Sequence, residues 1–149
     1  MYEEKINAYF DAPERRAELV EAISRLVRIR SVREEPLPGM PFGPGPAAAL
    51  AEGLKLAEEL GFATRNYDNY VGTADLNDKE TALHILCHLD VVGEGTGWTV
   101  TEPYAPKEVD GMLYGRGTDD DKGPVVEALY AMRCLKELGV ELEHGCRLL

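Results

Sequence analysis

Apolar positions along this chain fall into two rhythms, and the change between them marks out the elements. Leu19, Val20, Ile23, Leu26 and Val27 recur at spacings of three and four, the signature of one helical face, and predict a helix over residues 12–30. The preceding YEEKINAYF predicts a shorter helix. SVREEPLPGMPFGPGP then interrupts regular structure with five prolines and three glycines in sixteen residues. Its apolar PGMPFGP core predicts a loop pinned to the surface of the domain, not a disordered linker. AAALAEGLKLAEELG resumes the helical period, with Leu50, Leu54, Ala57 and Leu60 inward and Gly61 as the stop.

The rhythm then shortens. NYVGTADL and TALHILCHLD predict two strands, and the turn residues of NDKE between them predict a hairpin. MLYG predicts a third short strand. GPVVEALYAMRCLKELG is the clearest helix: Pro124 sits in its first turn, where a missing N–H costs nothing. Val125, Leu129, Met132 and Leu135 face one way, and Gly139 ends it. HGCRLL predicts a further strand. Helix, helix, strand, strand, strand, helix, strand is the order of an α/β sandwich. No repeat or low-complexity segment is visible. A last strand followed by nothing predicts that the chain is part of a longer protein.

Composition narrows the function. The chain has 149 residues, 44% hydrophobic and 29% charged, which suits one globular domain with its own core. A net charge of −11 argues against nucleic acid or an anionic membrane surface as the main partner. No apolar run approaches the ~20 residues of a membrane helix. The N-terminus is acidic where a secretory signal would be basic and then apolar. The expected location is the cytoplasm. Cys87, Cys134 and Cys146 are odd in number, lack CxxC spacing and fall in apolar patterns, so they are expected to be reduced packing residues.

Two polar clusters carry candidate chemistry. HILCHLDVV places His88 and Asp90 at the end of a strand, on one face by the period of two. The C-terminal edge of a sheet is where open α/β folds bind ligands. A histidine with a carboxylate two residues on suits a metal ligand whose tautomer is fixed by its neighbour. A hydrogen-bonded histidine beside a capping aspartate is the commoner reading of these residues alone. GRGTDDDKGP follows a short strand and enters a helix, so Asp119, Asp120 and Asp121 can reach the same edge. Three adjacent carboxylates repel one another, which suits either a solvated loop or a bound cation. Zinc normally takes at least three protein ligands, and an aspartate can bridge two metals ~3.5–4 Å apart. An EF-hand is excluded, because counting from Asp119 puts Pro124 at position 6 and Tyr130 at position 12. A phosphate loop is excluded by glycine spacing and by the triple negative charge. Trp98 and Tyr104, in the glycine- and proline-rich segment between the clusters, suit equally a loop walling a pocket and ordinary loop packing.

HLDVV, then GW, EPYAP and DGMLYGRGTDDDKGP, together resemble the M20 metallopeptidases. FGPGPAAALAEGLKLAEELGFATRNYDNYVG extends the likeness to the PepV-like dipeptidase branch of that family. The resemblance covers nearly the whole chain. It implies a three-layer α/β/α sandwich of the zinc-peptidase type, of which residues 1–149 would be the N-terminal portion of the catalytic domain, without the lid domain. It implies His88 as ligand to one of two zinc ions, Asp120 as the carboxylate bridging both, and Asp90 as the residue that orients His88. It also implies a cis peptide bond at Asp120–Asp121. Asp119 and Asp121 match no ligand position and are expected to serve the turn and the helix start. His84 and His144 match none and are expected to be structural. Gly93 stands where the family often has proline. The general-base glutamate and the remaining ligands would lie past Leu149, so the chain alone is expected to be inactive. Cobalt or manganese could replace zinc. The implied substrates are dipeptides or short N-acyl amino acids. A deacylase or desuccinylase of the same fold, and a truncated non-catalytic binding module, are the alternatives. An incomplete sheet would leave an open edge and predicts self-association.

Overall fold

The computed structural model describes residues 2–149. Four helices carry the apolar stripes: α1 (Tyr2–Asp11), α2 (Pro13–Val27), α3 (Pro44–Glu59) and α4 (Lys122–Glu137). Helix α3 begins three residues before the expected start. Gly43 adopts a positive φ of 92° at its N-cap, and prolines fill the first turn, where no N–H is needed. The rest of the proline-rich segment is pinned as expected. Glu34 donates its N–H to the Phe42 carbonyl, the Asn69 amide donates to the Gly39 carbonyl, and the Phe42 ring meets Tyr70 edge-on at 5.5 Å.

Six strands follow: β1 (Ala63–Tyr67), β2 (Val71–Asp75), β3 (Thr81–Ile85), β4 (Lys107–Val109), β5 (Met112–Tyr114) and β6 (Gly145–Leu148). Four form one sheet in the order β1-β2-β6-β3, with only β3 and β6 parallel; β4 and β5 make a separate ribbon. The expected hairpin across NDKE is therefore not formed. Strand β6 lies between β2 and β3, and residues 76–80 straddle its start. Leu76 N–H donates to the Cys146 carbonyl and Gly145 N–H to the Glu80 carbonyl. Gly145 is required there, since a Cβ would stand 2.7 Å from the Lys79 carbonyl oxygen. The hairpin partner of β2 is instead β1. Asp68 and Asn69 make that turn with φ of 52° and 59°, and the Asn66 side chain accepts the Asn69 N–H at 2.8 Å.

Ala74, Ile85, Cys146 and Leu148 share one face of the sheet by register and join the core with residues of α2, α3 and α4. Leu26 and Leu129 are essentially fully buried in it, each stabilising the fold by roughly 1.5–3 kcal/mol. The opposite face carries Asp75, His84 and Arg147, where Arg147 grips both Asp75 oxygens at 2.6 and 3.0 Å. The described residues thus build the sheet and a helical layer on one of its faces. Among them no helix is long and apolar enough to cross a membrane. The three cysteines are free, with Cys134 and Cys146 buried.

Candidate functional site

Strand β3 ends earlier than the expected 81–90. Its ladder with β6 closes where Leu149 N–H reaches the Ile85 carbonyl and Cys87 N–H reaches the Leu149 carbonyl. Beyond that pair, His88 has no strand neighbour for its backbone. The Asp121 carboxylate takes that role, accepting the His88 N–H at 3.0 Å. Asp121 stands at the N-cap of α4, yet its side chain makes no capping bond there. Its carbonyl receives the Val125 N–H and starts the helix, while its carboxylate ties the helix to the sheet's rim.

The GRGTDDDKG turn is fixed from below. Lys122 is wholly buried, and its Nζ donates to the Ile29 carbonyl at 2.6 Å, just past the C-terminus of α2, where the helix dipole favours a cation. Burial pushes its pKa down to about 8. Gly123 lets the turn close, since a Cβ there would lie 2.0 Å from the Thr118 carbonyl oxygen. The Asp120–Asp121 peptide is cis.

These constraints bring the two clusters together. His88 Nε2 lies 3.1 Å from Asp120 Oδ1. On the other side of the ring, Nδ1 faces the Asp90 main-chain carbonyl at 3.0 Å, with the Asp90 carboxylate at 3.5 Å. The carbonyl is therefore the nearer group to Nδ1, ahead of the carboxylate named from the sequence. Partial burial of the ring works to lower the His88 pKa. The Asp90 carbonyl and the carboxylates of Asp121, Asp90 and Asp120 outweigh it and hold the imidazole above its ordinary value. Burial, with Asp121 beside it, pushes the Cys87 thiol up to about 11, so it stays protonated and unreactive.

An imidazole nitrogen and a carboxylate oxygen facing each other suit a divalent cation of borderline hardness. They supply two donors; among the described residues no group of three or more His, Cys, Asp or Glu side chains converges on one point. His84 sits on the sheet face opposite the core, and His144 is exposed just before β6; neither is paired with this cluster.

Of the two readings of the loop between the clusters, ordinary loop packing is the one observed. Trp98 and Tyr104 do not line the cavity beside His88. They close around Glu94 instead: Trp98 Nε1 donates to its carbonyl at 2.7 Å and Tyr104 Oη to its carboxylate at 3.0 Å. Arg30 binds the same carboxylate at 2.6 Å, and Arg116 donates to the carbonyl while stacking over the Trp98 ring. A hydrogen bond from its own backbone, followed by those from Arg30 and the Tyr104 hydroxyl, holds the Glu94 pKa below its ordinary value. Missed altogether were the anchoring roles of Lys122 and Asp121, although both stand inside the GRGTDDDKG motif.

The chain is similar to known peptidases. Residues 84–149 match the family described as Peptidase family M20/M25/M40. The chain is 36% identical over 137 residues to "Putative dipeptidase YtjP" of Bacillus subtilis (strain 168), covering 91% of this chain and 29% of that protein. It is 37% identical over 142 residues to "Putative dipeptidase SSP1012" of Staphylococcus saprophyticus, covering 94% of this chain and 29% of that protein. The chain thus spans less than a third of the length of these relatives. Among solved structures, human carnosine dipeptidase 1 superimposes with a TM-score of 0.77 at 28% identity, over 97% of this chain and 33% of that one. An M20 family metallo-carboxypeptidase from Sulfolobus solfataricus shares the fold, with a TM-score of 0.65 at 21% identity over 88% of this chain and 30% of that one. With HxD just past the end of β3 and GRGTDDDKG leading into α4, residues 84–149 match the M20/M25/M40 peptidase family, and the chain is similar over most of its length to part of proteins named as putative dipeptidases.

Proposed function

We propose that this chain supplies part of the metal-binding rim of a metal-dependent dipeptidase. His88 and Asp120 act as two of the metal donors, and Asp90 fixes the His88 ring. The observation that supports the reading best is the 3.1 Å approach of His88 Nε2 to Asp120 Oδ1, across 32 positions of sequence. The Asp90 carbonyl accepts the proton on Nδ1 and so leaves the Nε2 lone pair aimed toward Asp120. Asp121 holds the His88 backbone, and Lys122 holds the turn that presents Asp120. A bound divalent cation, zinc by ligand type, with cobalt or manganese compatible, would polarise a peptide carbonyl and lower the pKa of water. Asp120 would be the carboxylate that holds such cations together with His88.

The remaining donors and the proton-accepting glutamate are assigned to polypeptide outside residues 1–149, because the described residues offer no third donor. Dipeptides are the proposed substrates, by likeness to relatives that carry that name. The cytoplasm is the proposed site of action. The test is a dipeptide panel, assayed with zinc, on the longest product of the reading frame that carries this segment. Hydrolysis is expected, reduced by more than about a hundredfold in His88→Ala and in Asp120→Asn. Full activity in either variant would remove the proposal. The 149-residue chain by itself is expected to show no appreciable hydrolysis.

A further inference from the structure

We propose that Ser31 is a positioning residue for the metal rim: it fixes the main chain on both sides of Asp90 and so aims the His88 ring at Asp120. The proposal rests on the metal-site reading and adds to it a residue from a different part of the chain, the segment that follows α2.

Residues 88–91 lie beyond the β3–β6 ladder, so their main-chain groups find partners elsewhere. The His88 N–H goes to Asp121. Two further bonds go to Ser31. Its hydroxyl donates to the Leu89 carbonyl at 2.6 Å, and its own carbonyl accepts the Val91 N–H at 3.1 Å. Those groups belong to the two peptide units that flank Asp90. Each unit is planar, and across a trans peptide the N–H and the C=O point to opposite sides. The Val91 N–H and the Asp90 carbonyl share one unit. Holding that N–H therefore turns the carbonyl away from Ser31 and toward the His88 ring, where it meets Nδ1 at 3.0 Å. The hydroxyl fixes the preceding unit through Leu89. With both units held, the proton stays on Nδ1, and Nε2 is left free for a metal beside Asp120.

Ser31 is itself wholly buried, so its hydroxyl has no bulk water as an alternative partner. Its neighbours hold other parts of the same rim. The Ile29 carbonyl takes the Lys122 ammonium, and the Arg30 guanidinium takes the Glu94 carboxylate at 2.6 Å. The Arg30 carbonyl is backed by Gly45 in the first turn of α3, where a Cβ would stand 2.2 Å from its oxygen. Residues 29–31 thus form one bracket, which meets the Asp120 turn through Ile29 and the His88–Asp90 segment through Ser31. Ser31 is the member whose side chain reaches the HxD segment, so a substitution there releases that segment and leaves the Lys122 contact in place.

The test compares the wild type with Ser31→Ala, which removes the hydroxyl, and Ser31→Cys, which keeps a weaker donor in its place. Arg25→Ala, remote from the rim, is the control for lost stability alone. Imidazole nitrogen NMR in EDTA, at a pH above the titration of the ring, reads the His88 tautomer without metal, and a cobalt titration reads affinity. Ser31→Ala is expected to convert His88 from the Nδ1–H form to a mixture of tautomers and to weaken cobalt binding about tenfold. Ser31→Cys is expected to fall between, and carries the same test if Ser31→Ala does not fold; Arg25→Ala is expected to change neither reading. A Ser31→Ala protein that is less stable yet keeps the wild-type tautomer and cobalt affinity would overturn the proposal, as would equal shifts in Arg25→Ala. A wild type that binds no cobalt, with a His88 tautomer that still responds to Ser31→Ala, removes the metal assignment and supports Ser31 as the residue that orients the ring.

Discussion

Lys122 shows how single residues set this site. Its ammonium is fully enclosed and meets the Ile29 carbonyl, with no carboxylate beside it. Its pKa in the folded protein, about 8, lies below the ordinary 10.5. The unfolded chain thus binds more protons between those values, and stability rises with pH across that window. Below about pH 8 the cost of burying the charge is present in full. Lys122→Met should remove this rise, so urea titrations of wild type and variant from pH 7 to 10 should differ in slope. Parallel curves would show that Lys122 is not enclosed as described. His88 runs the other way. Its pKa is raised, so protonation stabilises the metal-free fold below its ordinary 6.5, and that contribution fades as pH rises through the raised value. The same proton competes with a metal at Nε2, so metal affinity should fall as the solution is acidified through that range. The approach of His88 to Asp120 was anticipated through the family resemblance of HLDVV and GRGTDDDKG, because HxD by itself has commoner structural uses. The anchoring by Lys122 and Asp121 was not legible: burial and the missing strand neighbour of His88 are products of tertiary packing.

At the scale of elements, α2 and α3 are strapped by one guanidinium. Arg25 binds Glu52 at 2.5 and 2.8 Å and Glu59 at 2.6 Å, and this holds the Glu59 carboxyl below its ordinary value. Arg25→Ala should destabilise the fold by about 1–2 kcal/mol, with helix content unchanged by circular dichroism. No change in the urea midpoint would mean that the strap contributes nothing beyond solvation. The helices were readable from their apolar period to within a few residues, because that period is also the geometry of burial. Strand β1 was not, because Ala63–Tyr67 is a largely exposed edge with no apolar alternation. Strand β4 was missed despite a local signal. Asp110 and Gly111 both take positive φ, 51° and 79°, so VDGM carried the Asp-Gly turn of a β4–β5 hairpin. The false hairpin between β2 and β3 had a different origin: insertion of β6 between them is a long-range event that turn residues at NDKE do not encode.

For the whole molecule, the sheet's open edge and its rim make opposite demands. Among the described residues strand β3 pairs on one side only, carries no charged side chain, and leaves Leu83 57% exposed. Such an edge recruits another strand, while the net charge of −11 keeps copies apart until salt screens it. Light scattering should show self-association that grows with salt and is suppressed in Leu83→Lys; a monomer at every salt concentration would contradict this. At the rim, the sheet and α4 deliver one imidazole and one carboxylate to the same point. The most direct test of that convergence as a metal site is a zinc titration followed through the imidazole nitrogens of His84, His88 and His144 by NMR. We predict that His88 Nε2 alone shifts to a metal-bound value, with Nδ1 still protonated, and that Asp120→Asn weakens the response. Zinc bound through His84 or His144, or a His88 ring indifferent to zinc and to Asp120, would contradict the account.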